Sequence, residues 1–423
     1  MQCCSPNYLT INIEIIIMAK IKSNLHTLTD SADRILLLQG PVGHFFRDFA
    51  RWLEQRGKQV FKINFNAGDE AFYPATIPNT HAYRGSTEDF PAFLAKFTTN
   101  NKIDTIACFG DTRHYHTVAR QLAKNTEGIR FWAFEEGYFR PFFITLEQGG
   151  VNDFSPLPKE AAFFQTAYPR LAEQQYRTPP TVPGGFLPVA AAATRYYVAA
   201  NLYRSRYPHY THHRPFDLWH YIKLWSLSGI KRANYWLKDS RFAKRVESGE
   251  FGRFFVVPLQ VFNDSQVRVH SDFSSVRNFL LHVLTSFSFH APQNTSLLIK
   301  HHPMDRGFID YGKVIKHFLK KHPKLKGRIH YVHDVPLPVF LRHGTGMVTL
   351  NSTSGISALV HNMPVITLGR ANYDIPGLTF QGSLAEFWQR PIPPDAELFH
   401  AYRQYHMNVT QINGSYYSRV NLQ

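Results

Sequence analysis

The sequence predicts an α/β protein of two Rossmann-like domains, and three observations carry that prediction. Short β-branched and aromatic runs alternate with stretches of helical spacing. The alternation breaks off in mid-chain and restarts at Phe254-Phe-Val-Val-Pro-Leu-Gln260. In both halves the predicted strands run into polar residues at their carboxyl ends, the edge at which open α/β sheets bind ligands. A chain of 423 residues is long enough for two domains with separate cores.

Composition narrows the class of partner. With 44% hydrophobic and 15% aromatic residues the chain is not a disordered one. Lys and Arg number 47 against 31 Asp and Glu, a formal charge of +16 that favours nucleic acid, nucleotides or acidic lipid headgroups. Three cysteines, with Cys3 and Cys4 adjacent, are too few for a disulfide framework or metal cluster and fit reducing, cytoplasmic surroundings. The run Ile11 to Met18 is short and carries Glu14, unlike a signal peptide or a membrane span. Residues 1–30 are expected to be a poorly ordered extension, with Met18 as a second possible start.

The first domain is expected over residues 31–190. Arg34-Ile-Leu-Leu-Leu-Gln39 reads as a buried strand, and Gly40-Pro-Val-Gly43 as the turn after it. Phe45, Phe49, Trp52 and Leu53 then recur at helical spacing up to Gly57. The glycines match neither a dinucleotide nor a Walker fingerprint. A second strand ends in Asn64-Phe-Asn-Ala-Gly-Asp69, where Asn66 and Asp69 suit sugar hydroxyls; with Gln39 and Gly40 they are the predicted substrate-side residues. A third strand runs into Asp111, Arg113, His114 and His116. The fourth, Ile129-Arg-Phe-Trp-Ala-Phe134, meets Glu135-Glu-Gly-Tyr-Phe-Arg-Pro141. Alternation along a strand turns Glu135 and Glu136 to opposite faces, one toward a ligand and one held by Arg140 or backbone. A solvated acidic turn is the plainer reading of the pair.

Residues 153–190 are rich in proline and read as crossing loops. Residues 191–250 read as helical, with 11 Lys and Arg, 4 Asp and Glu and 12 aromatics, Trp219, Trp225 and Trp236 among them. Such a mixture suits an anionic membrane surface. It equally suits a helical linker whose aromatics pack between domains. Single-stranded nucleic acid takes similar residues, yet no nucleic-acid-binding motif accompanies them.

The second domain is expected over 251–385, followed by a helical tail at 386–423. Its strand ends are Gln260, with Asp264 and Gln266 close behind; Lys300-His301-His302-Pro303; and Asn351-Ser-Thr-Ser-Gly355 at the start of a helix. Hydroxyls around free helix N–H groups form an anion site, so Ser352, Thr353, Ser354 and Gly355 suit a nucleotide-sugar phosphate. Lys300 adds a cation, His301 and His302 add imidazoles, and Pro303 pins the turn. No Asp-X-Asp cluster stands nearby, so no metal is expected. Two Rossmann-like domains whose polar edges face across a cleft describe the GT-B architecture of glycosyltransferases.

As an ordered set, Leu36–Gly43, Lys62–Asp69, Phe134–Pro141, Pro258–Gln266, Lys300–Pro303 and Asn351–Gly355 resemble bacterial capsule synthesis proteins of the KpsS/LipB type, over roughly residues 34–385. The resemblance implies a retaining β-Kdo transferase that uses CMP-Kdo, without cofactor, to start a Kdo linker on phosphatidylglycerol or its lyso form. It also implies work at the cytoplasmic face of the inner membrane, beside other capsule synthesis and export proteins, with no nucleic acid partner. Related capsule transferases carry Glu-Asp-Gly where this chain has Glu135-Glu-Gly137, which assigns Glu136 as nucleophile, although the longer glutamate departs from the aspartate form. By the same resemblance Gln260, Asp264 and Gln266 line the cleft, His302 meets the CMP portion, Ser352 to Ser354 meet its phosphate, and Arg140 or Lys300 meets the sugar carboxylate. A non-catalytic glycolipid-binding component of capsule assembly or export is the alternative, and a nucleotide-sugar epimerase of similar shape a third.

Overall fold

The computed structural model describes residues 20–171, 180–183, 185–211 and 218–422. Its first element departs from expectation: part of the presumed extension forms helix α1 (Asn24–Ser31). The Ser23 hydroxyl caps it by accepting from His26 N at 3.3 Å, and Leu25 and Leu28 are buried beneath it. Cys3, Cys4 and the Ile11–Met18 run lie outside the described residues.

Strand and helix then alternate as β1 (Arg34–Leu37), α2 (Phe45–Glu54), β2 (Gln59–Asn64), α3 (Ala67–Phe72), β3 (Thr80–Ala82), α4 (Phe90–Asn100), β4 (Thr105–Phe109), α5 (His114–Asn125) and β5 (Arg130–Glu136). The rhythm then changes, against expectation. After β5 the chain doubles back as antiparallel β6 (Phe143–Gln148), pairing Glu135 with Thr145 and Glu136 with Ile144. Gly137 makes the return possible, because a Cβ there would collide with the Phe143 carbonyl. The stretch read as crossing loops contains helix α6 (Ala161–Ala167), which buries Phe164; Thr178 and Pro179 of the proline run lie outside the described residues.

Next come α7 (Phe186–Leu202) and α8 (Leu218–Glu247), then β7 (Arg253–Pro258), α9 (Ser265–Val269), α10 (Val276–His290), β8 (Thr295–Lys300), α11 (Gly312–Lys321), β9 (Ile329–Val332), α12 (Leu337–His343), β10 (Gly346–Thr349), α13 (Ser354–Val360) and β11 (Val365–Thr367). Helices α14 (Leu384–Gln389) and α15 (Ala396–Val409) lead to the last strand, β12 (Gln411–Asn413).

Two α/β units result, Met1–Thr211 with His400–Gln423, and His212–Phe399. The first holds a seven-stranded sheet ordered β12-β6-β5-β4-β1-β2-β3, parallel except for β6, which pairs antiparallel with both β5 and β12. The second holds an all-parallel five-stranded sheet ordered β11-β10-β7-β8-β9. Their central strands are buried on both faces, which is why these read as continuous apolar runs.

Two boundaries move. The 191–250 stretch is not a region of its own, because α7 packs on α3 in the first unit while α8 belongs to the second. Gly68 in α3 lets α7 approach closely: a Cβ there would lie 2.8 Å from the Tyr196 ring. The expected helical tail is also divided. Its last residues join the first unit, where β12 hydrogen-bonds to β6 and Gln411 accepts from Tyr138 N at 2.9 Å and donates to Thr145 Oγ1 at 3.0 Å.

Candidate active site

In the first unit the chemistry gathers at the end of β5. Trp132 and Phe134 point to the α2 face and pack with Phe45, Phe46 and Phe49, whereas Phe131 and Ala133 point to the opposite core. Alternation therefore sends Glu136 to the α2 face and Glu135 to the other, as the sequence predicts. Glu135 Oε1 accepts from Glu136 N at 2.9 Å. Burial pushes the Glu135 carboxyl up to about 7, with the Glu136 and Asp111 charges acting in the same direction. Both glutamates are partly exposed, so neither is a fully solvated turn residue. Arg140 is exposed, and its Nε donates to the Gly137 carbonyl at 3.3 Å.

More acid lies behind the pair. Asp111, 1% exposed, accepts from Val151 N at 2.9 Å, and burial pushes it up to about 6. Glu147, 2% exposed on β6, is pushed up to about 8 by burial, tempered by the Ser155 and Tyr138 hydroxyls. Burial thus pushes Glu135, Asp111 and Glu147 all above the ordinary carboxyl range.

Gln39, Asn66 and Asp69, expected on the substrate side, are bonded to one another and to two tyrosines. Gln39 Nε2 donates to Asp69 Oδ1 at 3.2 Å and to the Tyr196 and Tyr210 hydroxyls at 3.0 Å each, while Arg113 Nη1 donates to Gln39 Oε1 at 2.9 Å. Asn66 caps α3 by accepting from Asp69 N at 3.0 Å, and its Nδ2 donates to Tyr196 Oη at 2.8 Å. Asp69 Oδ2 accepts from Phe65 N at 2.9 Å. Gly40 lies against the Phe46 ring. Buried Lys62 sits near Asp69, and desolvation lowers its ammonium to about 8. This network fixes the loops that carry it.

In the second unit the predicted residues share the carboxyl edge of the sheet. Gln260 follows β7 and donates to Asn351 Oδ1 at 3.0 Å; Asn351 Nδ2 donates to the Gln266 and His270 carbonyls at 3.0 and 3.1 Å. Asp264 caps α9 by accepting from Gln266 N at 3.0 Å. Ser352 Oγ accepts from Ser354 N at 3.2 Å, and Tyr373 Oη donates to the Ser352 carbonyl at 2.6 Å. That tyrosine leaves no room for a Cβ at Gly355. Thr353, at the head of α13, makes no side-chain cap bond.

Lys300 ends β8, and burial lowers its ammonium to about 8, opposed by the Asp334 charge. His301 is buried, its Nδ1 2.7 Å from Tyr331 Oη, and burial lowers it to about 3. The same hydroxyl accepts from Tyr311 N at 3.3 Å. His302 caps the turn that Pro303 begins, its Nδ1 accepting from Met304 N at 3.2 Å.

The sequence reading missed Tyr196, Tyr210 and Tyr416 of the first unit, and His333 of the second. His333 stacks on Tyr235 of α8 with ring centroids 3.8 Å apart, and Asp239 of α8 accepts from His333 N at 2.9 Å.

Comparison with known proteins completes the picture. The family model described as capsule polysaccharide biosynthesis protein matches residues 104–417. The chain is 61% identical over 400 residues to the capsule polysaccharide modification protein LipB of Neisseria meningitidis serogroup B, with 95% of each chain covered. It is 41% identical over 397 residues to the capsule polysaccharide export protein KpsS of Escherichia coli, covering 94% of this chain and 100% of the other. Among solved structures it is similar to KpsC of Thermosulfurimonas dismutans, a beta Kdo 2,7 transferase, at 14% identity and a TM-score of 0.40, covering 87% and 89% of the two chains.

Proposed function

The chain belongs to the capsule polysaccharide biosynthesis family, and from that premise we propose that it is a glycosyltransferase moving Kdo from CMP-Kdo to a phosphatidylglycerol-type lipid, the first step of a β-Kdo linker. The observation that carries this reading is the carboxylate pair of β5, whose members face opposite ways and in which the Glu135 carboxyl holds the Glu136 N–H.

Retention calls for two displacements. In the first, the Glu136 carboxylate attacks the anomeric carbon, the bond to the CMP phosphate oxygen breaks, and CMP departs. In the second, the acceptor hydroxyl attacks that carbon, loses its proton to solvent or a nearby base, and frees Glu136. Glu135 serves as positioning residue, holding the nucleophile's backbone. Lys300 and Ser352 to Ser354 suit the donor phosphate, and the imidazoles of His301 and His302 suit its other polar groups. Arg140 or Lys300 suits the sugar carboxylate, a charge-assisted pair. Chemistry of this kind needs no cofactor.

No described helix is long and apolar enough to cross a membrane. The outer face of α8 supports attachment at the surface of one. Ile230 and Leu237, 64% and 60% exposed, lie seven residues apart beside exposed Lys223, Arg241 and Lys244, a mixture suited to an anionic bilayer. Trp225 instead packs on Phe308, and the Trp219 side chain lies outside the described residues.

The test is mass analysis of peptides after exposure to CMP-Kdo without acceptor. A Kdo adduct on the 130–142 peptide, with CMP released, is the expected outcome. Lipid binding with neither adduct nor CMP release on prolonged incubation favours the glycolipid-binding component.

A further inference from the structure

A groove of about 510 Å³ lies within the first unit, between the start of α2, α7 and the segment after β12. That volume falls in the range of about 300–1,000 Å³ typical of small-molecule sites. Its lining is mixed, with Phe45, Phe72, Ala191, Ala192, Val420 and Leu422 as the apolar wall and Ser415, Tyr417 and Ser418 among the polar residues. Its charged lining is mostly cationic. Arg195 and Arg419 are both exposed, and the one acid, Asp48, already faces Arg51 at 3.6 Å and Arg47 at 3.9 Å. His44 also lines it, at the head of α2, where no side chain caps the first N–H groups. Burial first, and then the Arg47 and Arg195 charges, keep that imidazole below its ordinary range, with Asp48 opposing them.

Tyr416 joins the groove to the chemistry. Its ring lines the groove and packs edge-on against Phe45 at 5.0 Å, while its hydroxyl donates to the Glu135 carbonyl at 2.8 Å. Glu136 points to this same face of the sheet, the α2 face.

We propose that this groove holds the aliphatic chain of a single-chain anionic phospholipid, its phosphate against Arg195 and Arg419 and its free hydroxyl end toward the β5 carboxylates. Calling that lipid the acceptor rests on the transferase reading; the binding site does not. A free phosphate shares the head chemistry but leaves the apolar wall unused, so the two sources separate experimentally.

The experiment is photolabelling of the full chain by lysophosphatidylglycerol carrying a diazirine on its acyl chain, without CMP-Kdo, followed by peptide mapping. Label is expected on residues 188–195 and 415–422. Ala192→Trp, which fills the groove, is expected to lower it at least tenfold. Replacing Arg195 and Arg419 with serine is expected to weaken labelling by this probe more than by a neutral monoacylglycerol analogue. Label confined to other segments such as α8, full competition by millimolar inorganic phosphate, or undiminished labelling of Ala192→Trp overturns the proposal. Mapping on the parent chain decides the matter even where a variant folds poorly. A chain labelled in the groove that makes no Kdo product keeps the site and loses the transferase reading; one that makes product while Ala192→Trp labels fully loses the site alone.

Discussion

Tyr416 Oη donates to the Glu135 carbonyl at 2.8 Å, tying the end of the chain to the strand that carries both candidate catalytic acids. The ring is wedged between Phe45 and Phe109, each 5.0 Å away centroid to centroid. Tyr416→Phe keeps the ring and loses the bond, at an expected cost of about 0.5–1.5 kcal/mol. Tyr416→Ala also leaves a cavity, at about 3–5 kcal/mol by analogy with other large aromatic truncations. Urea unfolding of the two variants checks the order, and equal losses contradict the packing role.

Gly137 stands where a side chain meets the Phe143 carbonyl. Gly137→Ala has to shift the β5–β6 return, and overpacking of this kind costs about 1–3 kcal/mol. Since the shift occurs next to Glu136, transfer is expected to fall more steeply than stability. Parallel measurement of initial rate and unfolding midpoint distinguishes this from a purely structural defect.

Burial raises Glu147 from 4.5 to about 8, so the folded state holds a proton there that the unfolded state has released. Its stabilising contribution is complete below the unfolded value and is lost as pH rises through about 8. Glu147→Gln, always neutral, is expected to gain on the parent by roughly 5 °C or more between pH 5 and pH 8.5. A melting-temperature difference that stays constant across that range contradicts a buried neutral acid.

Lys300 works in the opposite sense of charge. Its ammonium, lowered to about 8 by burial, is lost on the alkaline side of neutrality, where KM for CMP-Kdo is expected to rise. Lys300→Arg keeps its charge there and should flatten the rise. The pH profile of KM at constant ionic strength supplies the check, and parallel profiles for both proteins remove Lys300 from the phosphate site.

On α8, Ile230→Glu with Leu237→Glu places two carboxylates on a face otherwise flanked by Lys223 and Arg241. Sedimentation with anionic vesicles is expected to drop by an order of magnitude or more for the pair, with the unfolding midpoint nearly unchanged. Retained sedimentation relocates the membrane contact.

Much of this was legible because parallel strands are continuous apolar runs and their ends are abrupt. Phe131 to Phe134 and Leu297 to Ile299 announce themselves, and so do the polar residues that follow. The antiparallel β6 was not, since Phe143–Gln148 is a short half-apolar run right after a proline and breaks the α/β rhythm. Tyr196 and Tyr416 were invisible for another reason. They lie 127 and 281 residues from the groups they hold, and a single tyrosine carries no local signal of so distant a partner. Gln39 and Asp69 read as substrate-side residues, and their closure by tyrosines from α7 and beyond was not legible, because the basic aromatic stretch reads as one block while its two helices serve different units.

The most direct test of the central claim is a transfer assay with purified protein, CMP-Kdo and a fluorescent phosphatidylglycerol, run beside Glu136→Gln and Glu136→Ala. A product heavier by one or more Kdo residues is expected from the parent chain, with a loss of at least a thousandfold in rate from both variants. Product formed at the parental rate by folded Glu136→Ala contradicts that claim.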